Sequence, residues 1–290
     1  MGNGSKELGQ DATTADTTTA AAYWKKVTAF AQSATNEIGA HLMAAFGKAT
    51  AEQKTDGSLV TQYDKWADAE LRDRIAKTFL DHGVLTEEAE HIFPDTDWCW
   101  VIDPIDGTTN FARGVPLWGI SLGLLYKGTP VFGHVYIPPI AQHFHGFFPG
   151  ASGLDMPEGA FANNQPLCIG QDCPNSTPSN TRLFSLCARS LKVLQNPFPC
   201  KIRMLGVATY NLLTVASGVS LGAVEATPKI WDIAAVWAIT QAAGASWINL
   251  DGQAAFPLKV GKDYSTHPFP TLVTRPDLVE EFEPLVKVIL

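Results

Sequence analysis

The stretch Trp100-Val101-Ile102-Asp103-Pro104-Ile105-Asp106-Gly107-Thr108-Thr109-Asn110-Phe111 constrains this chain more than any other. The β-branched and aromatic run from Trp98 to Ile102 reads as a buried strand. It ends in two aspartates three positions apart, with the chain expected to turn through Pro104 and Asp106-Gly107. Carboxylates at a strand end can converge on one point outside the sheet. Gly107 lets a ligand approach the backbone, and a helix starting there would turn its amides toward an anion.

Other acids share this setting. Glu87 and Glu88 follow Thr86 and the apolar pair Val84-Leu85, and Asp232 heads the apolar run Ile233-Ala234-Ala235. Singly, each has a plain reading: an Asp-Gly turn, solvated charge, a helix cap. Asp64, three residues after Thr61, also reads as a cap. Together, Glu87, Asp103, Asp106 and Asp232 sit at the edges of buried elements, where a carboxylate is costly. If they converge, a pair ~5 Å apart repels by ~3 kcal/mol at an effective dielectric of ~20. Only a cation makes such a cluster tolerable. An all-oxygen set without Cys or His selects a hard ion, Mg²⁺ rather than Zn²⁺.

Around these motifs the pattern is layered α/β or α+β. Trp24, Val27, Phe30, Ala34, Ile38 and Leu42 form a helical stripe within residues 20–47, and a second helix is expected from Asp64 to His82. Strands are expected over Gly119–Tyr126 and Pro130–Ile137 with a Lys127-Gly128 turn, and helices over 206–218 and 231–243. Residues 149–180 read as loop, and residues 1–20 as a disordered polar tail. The expected organisation is one catalytic domain over 21–290, with two lobes meeting near 150–180.

Composition narrows the function. Lys+Arg 21 against Asp+Glu 29 gives a net charge of −8, which argues against a nucleic-acid binder. It also poses a problem, because an acidic protein repels anionic substrates unless something local reverses the field. Five scattered cysteines make a poor disulfide framework, and none starts a C-x5-R phosphatase loop. The N-terminus has no apolar signal region, and Lys6 stands where a myristoylation motif needs Ser or Thr. The uncharged stretches 204–224 and 233–250 are diluted by polar residues, so they read as core, not membrane spans. A cytoplasmic protein is expected. His143 and His145 alternate on a strand and read as surface or core histidines without a third metal ligand.

D-P-I-D-G-T-T-N-F at 103–111 and W-D-I-A-A at 231–235 resemble the two signatures of the inositol monophosphatase family. K-x-D-G-S-x-V-T-x-x-D at 54–64, E-E at 87–88, G-A-F-x-N at 159–163 and G-V-A at 206–208 extend the match over roughly residues 22–290. The resemblance implies a Mg²⁺-dependent, lithium-sensitive phosphomonoesterase, an αβαβα sandwich and a homodimer. It makes Glu87, Asp103 and the Ile105 carbonyl ligands of one metal, and Asp103, Asp106 and Asp232 ligands of a second. A third, weaker Mg²⁺ would use Glu87 or its neighbour. Asp64 and Thr108 match the pair that orients the attacking water. The amides of Gly107 and Thr108 would hold phosphate, and Ala208 and Glu225 would contact the alcohol. Ser190 is a looser candidate, and Lys229 either touches substrate phosphate or faces solvent.

Phosphate monoester hydrolysis is among the slowest uncatalysed reactions, so electrostatics must supply most of the barrier reduction. The expected substrate is a small sugar or polyol phosphate, inositol monophosphate by default, with histidinol phosphate as the same-fold alternative. Fructose 1,6-bisphosphate and 3′-phosphoadenosine nucleotides match the motifs less closely. A regulatory binding protein of this fold is the alternative from another class, and the costly carboxylates argue against it.

Overall fold

The computed structural model describes residues 12–54, 57–169, 177–195 and 197–286, with backbone alone at 12–19. In chain order, α1 (Ala12–Ala45), β1 (Ala51–Gln53), β2 (Leu59–Thr61) and α2 (Gln62–Thr78) come first. They are followed by β3 (Gly83–Thr86), β4 (Trp98–Asp106), α3 (Thr108–Arg113), β5 (Gly119–Tyr126), β6 (Thr129–Ile137), β7 (Gln142–Phe147), β8 (Gly159–Ala162) and β9 (Gln165–Leu167). The remainder is β10 (Leu183–Leu186), β11 (Lys201–Arg203), α4 (Ala208–Ala216), β12 (Gly222–Glu225), α5 (Ile230–Ala242), β13 (Ser246–Asn249), β14 (Thr271–Thr274) and α6 (Val279–Phe282).

These elements stack in five layers. The stripe on α1 and the apolar side of α2 (Ala67, Leu71, Ile75) bury against Trp100, Ile102, Leu122 and Phe132 of a seven-stranded sheet ordered β3-β4-β5-β6-β7-β8-β9. On the sheet's other face lie α4 and α5, whose residues pack with Val101, Val135, Ala223 and Val273 between the two sheets. A five-stranded sheet, β11-β10-β12-β14-β13, forms the fourth layer, with Phe282 of α6 packing beyond it on Phe184 and Leu272. The expected αβαβα sandwich is therefore the observed fold.

A row of glycines sets the spacing of the central layers. Gly123, Gly133 and Gly146 stand side by side on β5, β6 and β7. A Cβ on Gly133 would lie 2.0 Å from the carbonyl oxygen of Ala235, and one on Gly146 would lie 2.7 Å from the Cα of Ile239. The row is a trench that lets α5 lie directly on the sheet, which positions Asp232 near the helix's N-terminal end.

Three sequence expectations need correction. The helix expected over residues 20–47 spans Ala12–Ala45, so it reaches back into the stretch read as a tail. Extending a helix that is already nucleated costs little for an Ala-rich run. Residues 1–11 lie outside the described residues. The expected 149–180 loop contains the β8–β9 hairpin, turned through Asn163 and Asn164, both with positive φ. Asparagine tolerates that conformation, and the short, Pro-containing strands lacked an alternating signal. Residues 170–176 of that stretch, including Cys173, lie outside the described residues. Finally, the strand expected to end at Asp103 runs on to Asp106 through a bulge.

His134, His143 and His145 share the sheet face beneath α1. His134 and His145 are buried, and His143 stacks on Tyr136 with ring centroids 3.9 Å apart. Among the described residues, only Asp103, Asp106 and Asp232 bring at least three metal-ligating side chains together, so the imidazoles form no metal cluster. Likewise, no helix among the described residues is long and apolar enough to cross a membrane.

Candidate active site

The bulge in β4 builds the site. Asp103 pairs with Ser121 and Asp106 with Gly119, so β4 uses one residue more than β5 over this interval. In a regular strand, residues three apart point to opposite faces. Pro104 has no N–H for the ladder, and the extra residue reverses the pleat. Ile105 therefore packs on the α1–α2 side, while Asp106 joins Asp103 on the side facing α4 and α5. The N-terminus of α5 brings in Asp232, and the three aspartates then present carboxylate oxygens within 4.8 Å of one another.

Each carboxylate is held by backbone. Asp103 accepts from the Ile105 amide at 3.0 Å, and Asp232 from the Lys229 amide at 2.6 Å. Asp106 accepts from the Ala208 amide at 3.1 Å, and from the Thr209 amide and hydroxyl at 2.7 and 2.5 Å. The first amides of α4 thus fix a cage residue, leaving no cap for them to seek elsewhere. On the protein's own groups alone, burial pushes the carboxyl of Asp103 well above the usual range, and the Glu87, Asp106 and Asp232 charges push the same way. Asp232 is raised well above the usual range and Asp106 is also raised, in both cases chiefly by burial.

Glu87 lines the same cavity, but its carboxylate lies outside that trio and pairs with Lys54 Nζ at 2.9 Å. Lys54 also reaches Glu88 at 2.6 Å. Burial raises Glu87 to about 7 despite the opposing lysine. Lys54 comes from the K-x-D-G-S motif, of which Thr55 and Asp56 lie outside the described residues.

Asp64, read from the sequence as a cap, is the N3 partner of the actual N-cap residue of α2, Thr61. Its carboxylate accepts from the Thr61 amide and hydroxyl at 2.8 and 2.6 Å, closing a capping box. Its second oxygen accepts from the Thr108 hydroxyl at 2.9 Å. Asp64 is buried behind Thr108, and Thr108 is the member of the pair that lines the cavity. Burial raises the Asp64 carboxyl.

The cavity measures about 720 Å³ and is also lined by Ile105, Gly107, Ala208, Glu225 and Lys229. Buried Glu225 accepts from Asn211 Nδ2 at 2.7 Å, and burial carries its carboxyl up to about 8. Ser190 is absent from the lining: it is buried, and its hydroxyl accepts from the Ala226 amide at 2.9 Å, a structural role. Sequence reasoning missed Thr209, Asn211 and Arg189. Only Thr209 carried a signal, as the residue after G-V-A at a helix start whose amides needed an anion.

The oxygen-only acidic cluster in the cleft of this five-layer αβαβα chain is the donor set that suits a hard divalent cation. The sequence model of the inositol monophosphatase family matches residues 23–276. The inositol-1-monophosphatase of Synechocystis is 32% identical over 218 residues, covering 71% of this chain and 72% of that one. A protein of Salmonella typhimurium named Nus factor SuhB is 31% identical, covering 67% and 73% respectively. Among solved structures, a Thermotoga maritima IMPase superposes with a TM-score of 0.71 at 25% identity, covering 87% of this chain and 93% of that one. The chain belongs to the inositol monophosphatase family, and it is a phosphatase.

The raised carboxyls set a pH dependence of stability. A carboxyl whose folded pKa exceeds its unfolded value makes the fold less stable as pH rises through that interval. For Glu87 and Glu225 the interval runs from the ordinary carboxylate range to about 7 and about 8. The Tm in EDTA is therefore expected to fall between about pH 5 and about pH 8. A divalent cation should restore more at the alkaline end, where it meets no competing proton. A Tm that climbs across this range in EDTA would contradict the cage as described.

Proposed function

We propose that this chain hydrolyses a small phosphorylated sugar or polyol, with inositol monophosphate as reference substrate, to alcohol and phosphate without a covalent intermediate. The observation that carries the reading is the convergence of Asp103, Asp106 and Asp232 on a cavity lined by Thr108. Carboxyls driven up in pKa by burial, and in Asp103 and Asp232 also by neighbouring acids, are stable as anions only beside cationic charge, so the donor set fits a hard ion. Asp103, Asp106 and Asp232, with Glu87 and the Ile105 carbonyl, would hold two or three Mg²⁺. Bound Mg²⁺ supplies a Lewis acid that makes a water nucleophilic near neutral pH and neutralises charge on the leaving oxygen.

The remaining work falls to side chains and amides. Thr108 donates its hydrogen to Asp64, so its oxygen presents lone pairs to the cavity and orients a water there. As that water attacks, its proton passes to the Thr108 oxygen and the Thr108 proton to Asp64, whose raised pKa favours acceptance. Glu87, which lines the cavity and pairs with Lys54, would add a fourth carboxylate to the set that holds the metal. The Gly107 and Thr108 amides, with Asp106 and Asp232, face the phosphate. Ala208 and Glu225 face the alcohol. Residues 21–290 act as one catalytic domain, and the reading carries with it a lithium-sensitive cytoplasmic homodimer.

Relatives bear names that differ in substrate, among them a fructose-1,6-bisphosphatase/inositol-1-monophosphatase of Aquifex aeolicus. The test is phosphate release from inositol, fructose and histidinol monophosphates, with Mg²⁺ and with EDTA. Mg²⁺-dependent release is expected, greatest on the inositol ester. No release from any ester would sink the reading, and a preference for histidinol phosphate would replace the substrate. Thr108→Ala and Asp64→Asn should each lower kcat by about 10²–10⁴-fold, the usual contribution of positioned acid–base groups. A kcat equal to the parent's in both variants would remove the pair from the chemistry.

A further inference from the structure

Two parallel strands end side by side at the cavity. β10 and β12 pair with Leu186 opposite Val224, so the next residues, Cys187 and Glu225, are neighbours at the strand ends, and both line the cavity. Of the described cysteines, only Cys187 does so. Glu225 is buried, where a carboxylate needs hydrogen bonds to replace water. Asn211 of α4, itself buried and outside the cavity lining, donates to its Oε1 at 2.7 Å. The Cys187 thiol donates a second bond, which pulls the Glu225 carboxyl down against the larger effect of burial. Burial and the Glu225 charge hold the thiol up at about 11, so it keeps its proton at neutral pH and stays a donor. With its one hydrogen so used, the sulfur accepts from the Ser190 hydroxyl 2.9 Å away, and Ser190 accepts from the Ala226 amide at 2.9 Å. Cys187 is thus anchored to backbone on one side and holds Glu225 on the other. A carboxylate gripped by donors from two different elements has a fixed plane, and its remaining lone pairs have a fixed direction.

We infer that Cys187 is a positioning residue for substrate recognition: its thiol fixes the Glu225 carboxylate in the orientation that accepts a hydroxyl of the leaving alcohol. The inference rests on the proposed role of Glu225 toward that alcohol. Cys187 acts through Glu225 and has no part in the attack on phosphorus. Without the thiol, Asn211 is the side-chain donor left on Glu225, and the carboxylate is free to turn about that single bond. The cost then falls on esters whose alcohol offers a hydroxyl to Glu225. A serine at this position keeps a donor on the same Cβ, so it preserves the arrangement that an alanine removes.

The experiment measures kcat and KM in Mg²⁺ on inositol 1-phosphate and on phenyl phosphate, whose leaving group has no further hydroxyl. Cys187→Ala is expected to lower the ratio of kcat/KM on the inositol ester to that on phenyl phosphate by about fivefold, the scale of one net hydrogen bond, chiefly through KM. Cys187→Ser should restore most of the ratio. In a Glu225→Ala background, Cys187→Ala should change the ratio no further, because the contact it serves is gone. A ratio that Cys187→Ala leaves unchanged, whether both esters fall together or neither does, would overturn the inference alone and leave the thiol as packing. A serine variant no better than the alanine one would overturn it too, as would a full further loss in the Glu225→Ala background. A ratio that Glu225→Ala itself leaves unchanged would instead remove the role of Glu225 beneath the inference. Hydrolysis of phenyl phosphate but not of the inositol ester would remove the polyol reading beneath both.

Discussion

Asp103→Asn is expected to lose at least about 10²–10³-fold in kcat/KM, the scale for deleting one preorganised electrostatic contact to a transition state. The same variant should melt at a higher temperature than the parent in EDTA. Both effects come from one carboxylate. Asp103 lies in the trio whose oxygens approach within 4.8 Å, is buried, and has its pKa raised by burial and by Glu87, Asp106 and Asp232. An amide of the same shape removes a buried charge and its repulsion, while its oxygen can still accept from the Ile105 amide. It also removes a negative ligand, so the Tm increase on adding Mg²⁺ should shrink. Phosphate release and thermal melts with and without Mg²⁺ read the two effects separately. A variant that keeps activity would show that the cage is not the reaction centre. One that melts lower in EDTA would show that the aspartates are not in mutual strain.

Gly133→Ala is expected to destabilise the fold by about 3 kcal/mol or more, the upper end of core overpacking. A domain of this size then loses about 6–12 °C in Tm. The added methyl would lie 2.0 Å from the Ala235 carbonyl oxygen, a backbone atom of a helix pinned on both sides, with no flexible side chain to yield. Graded effects should follow along the trench. Gly146→Ala, with its nearest contact at 2.7 Å, and Gly123→Ala, at 2.9 Å, should cost successively less. Because α5 carries Asp232, surviving Gly133→Ala protein should also bind Mg²⁺ more weakly. Thermal melts of the three variants decide the matter, and Tm values equal to the parent's would show that α5 is free to lift off the sheet.

Much of the site was legible because its chemistry is local. Thr61 and Asp64 announced a cap by spacing alone, and the structure closes the capping box. Lys127-Gly128 announced a hairpin, and both residues have the positive φ that such a turn needs. The apolar runs ending in acids announced expensive carboxylates. What stayed hidden depended on contacts distant in sequence. Thr209 meets Asp106 across 103 positions, and Lys54 meets Glu87 across 33. The glycine trench was equally silent, because three glycines in three strands form a row only once the strands are in register.

The sequence by itself determined which side chains are costly to bury and where strands and helices run. Those are properties of residue type and of periods within one element. The tertiary structure decided the rest: that Asp103 and Asp106 share a face, that α5 lies close enough to deliver Asp232, and that Arg189 stands on the cavity wall. The physical reason lies in the pleat. One extra residue in β4 reverses which way every later side chain points, and only the pairing with β5 fixes that the residue is extra.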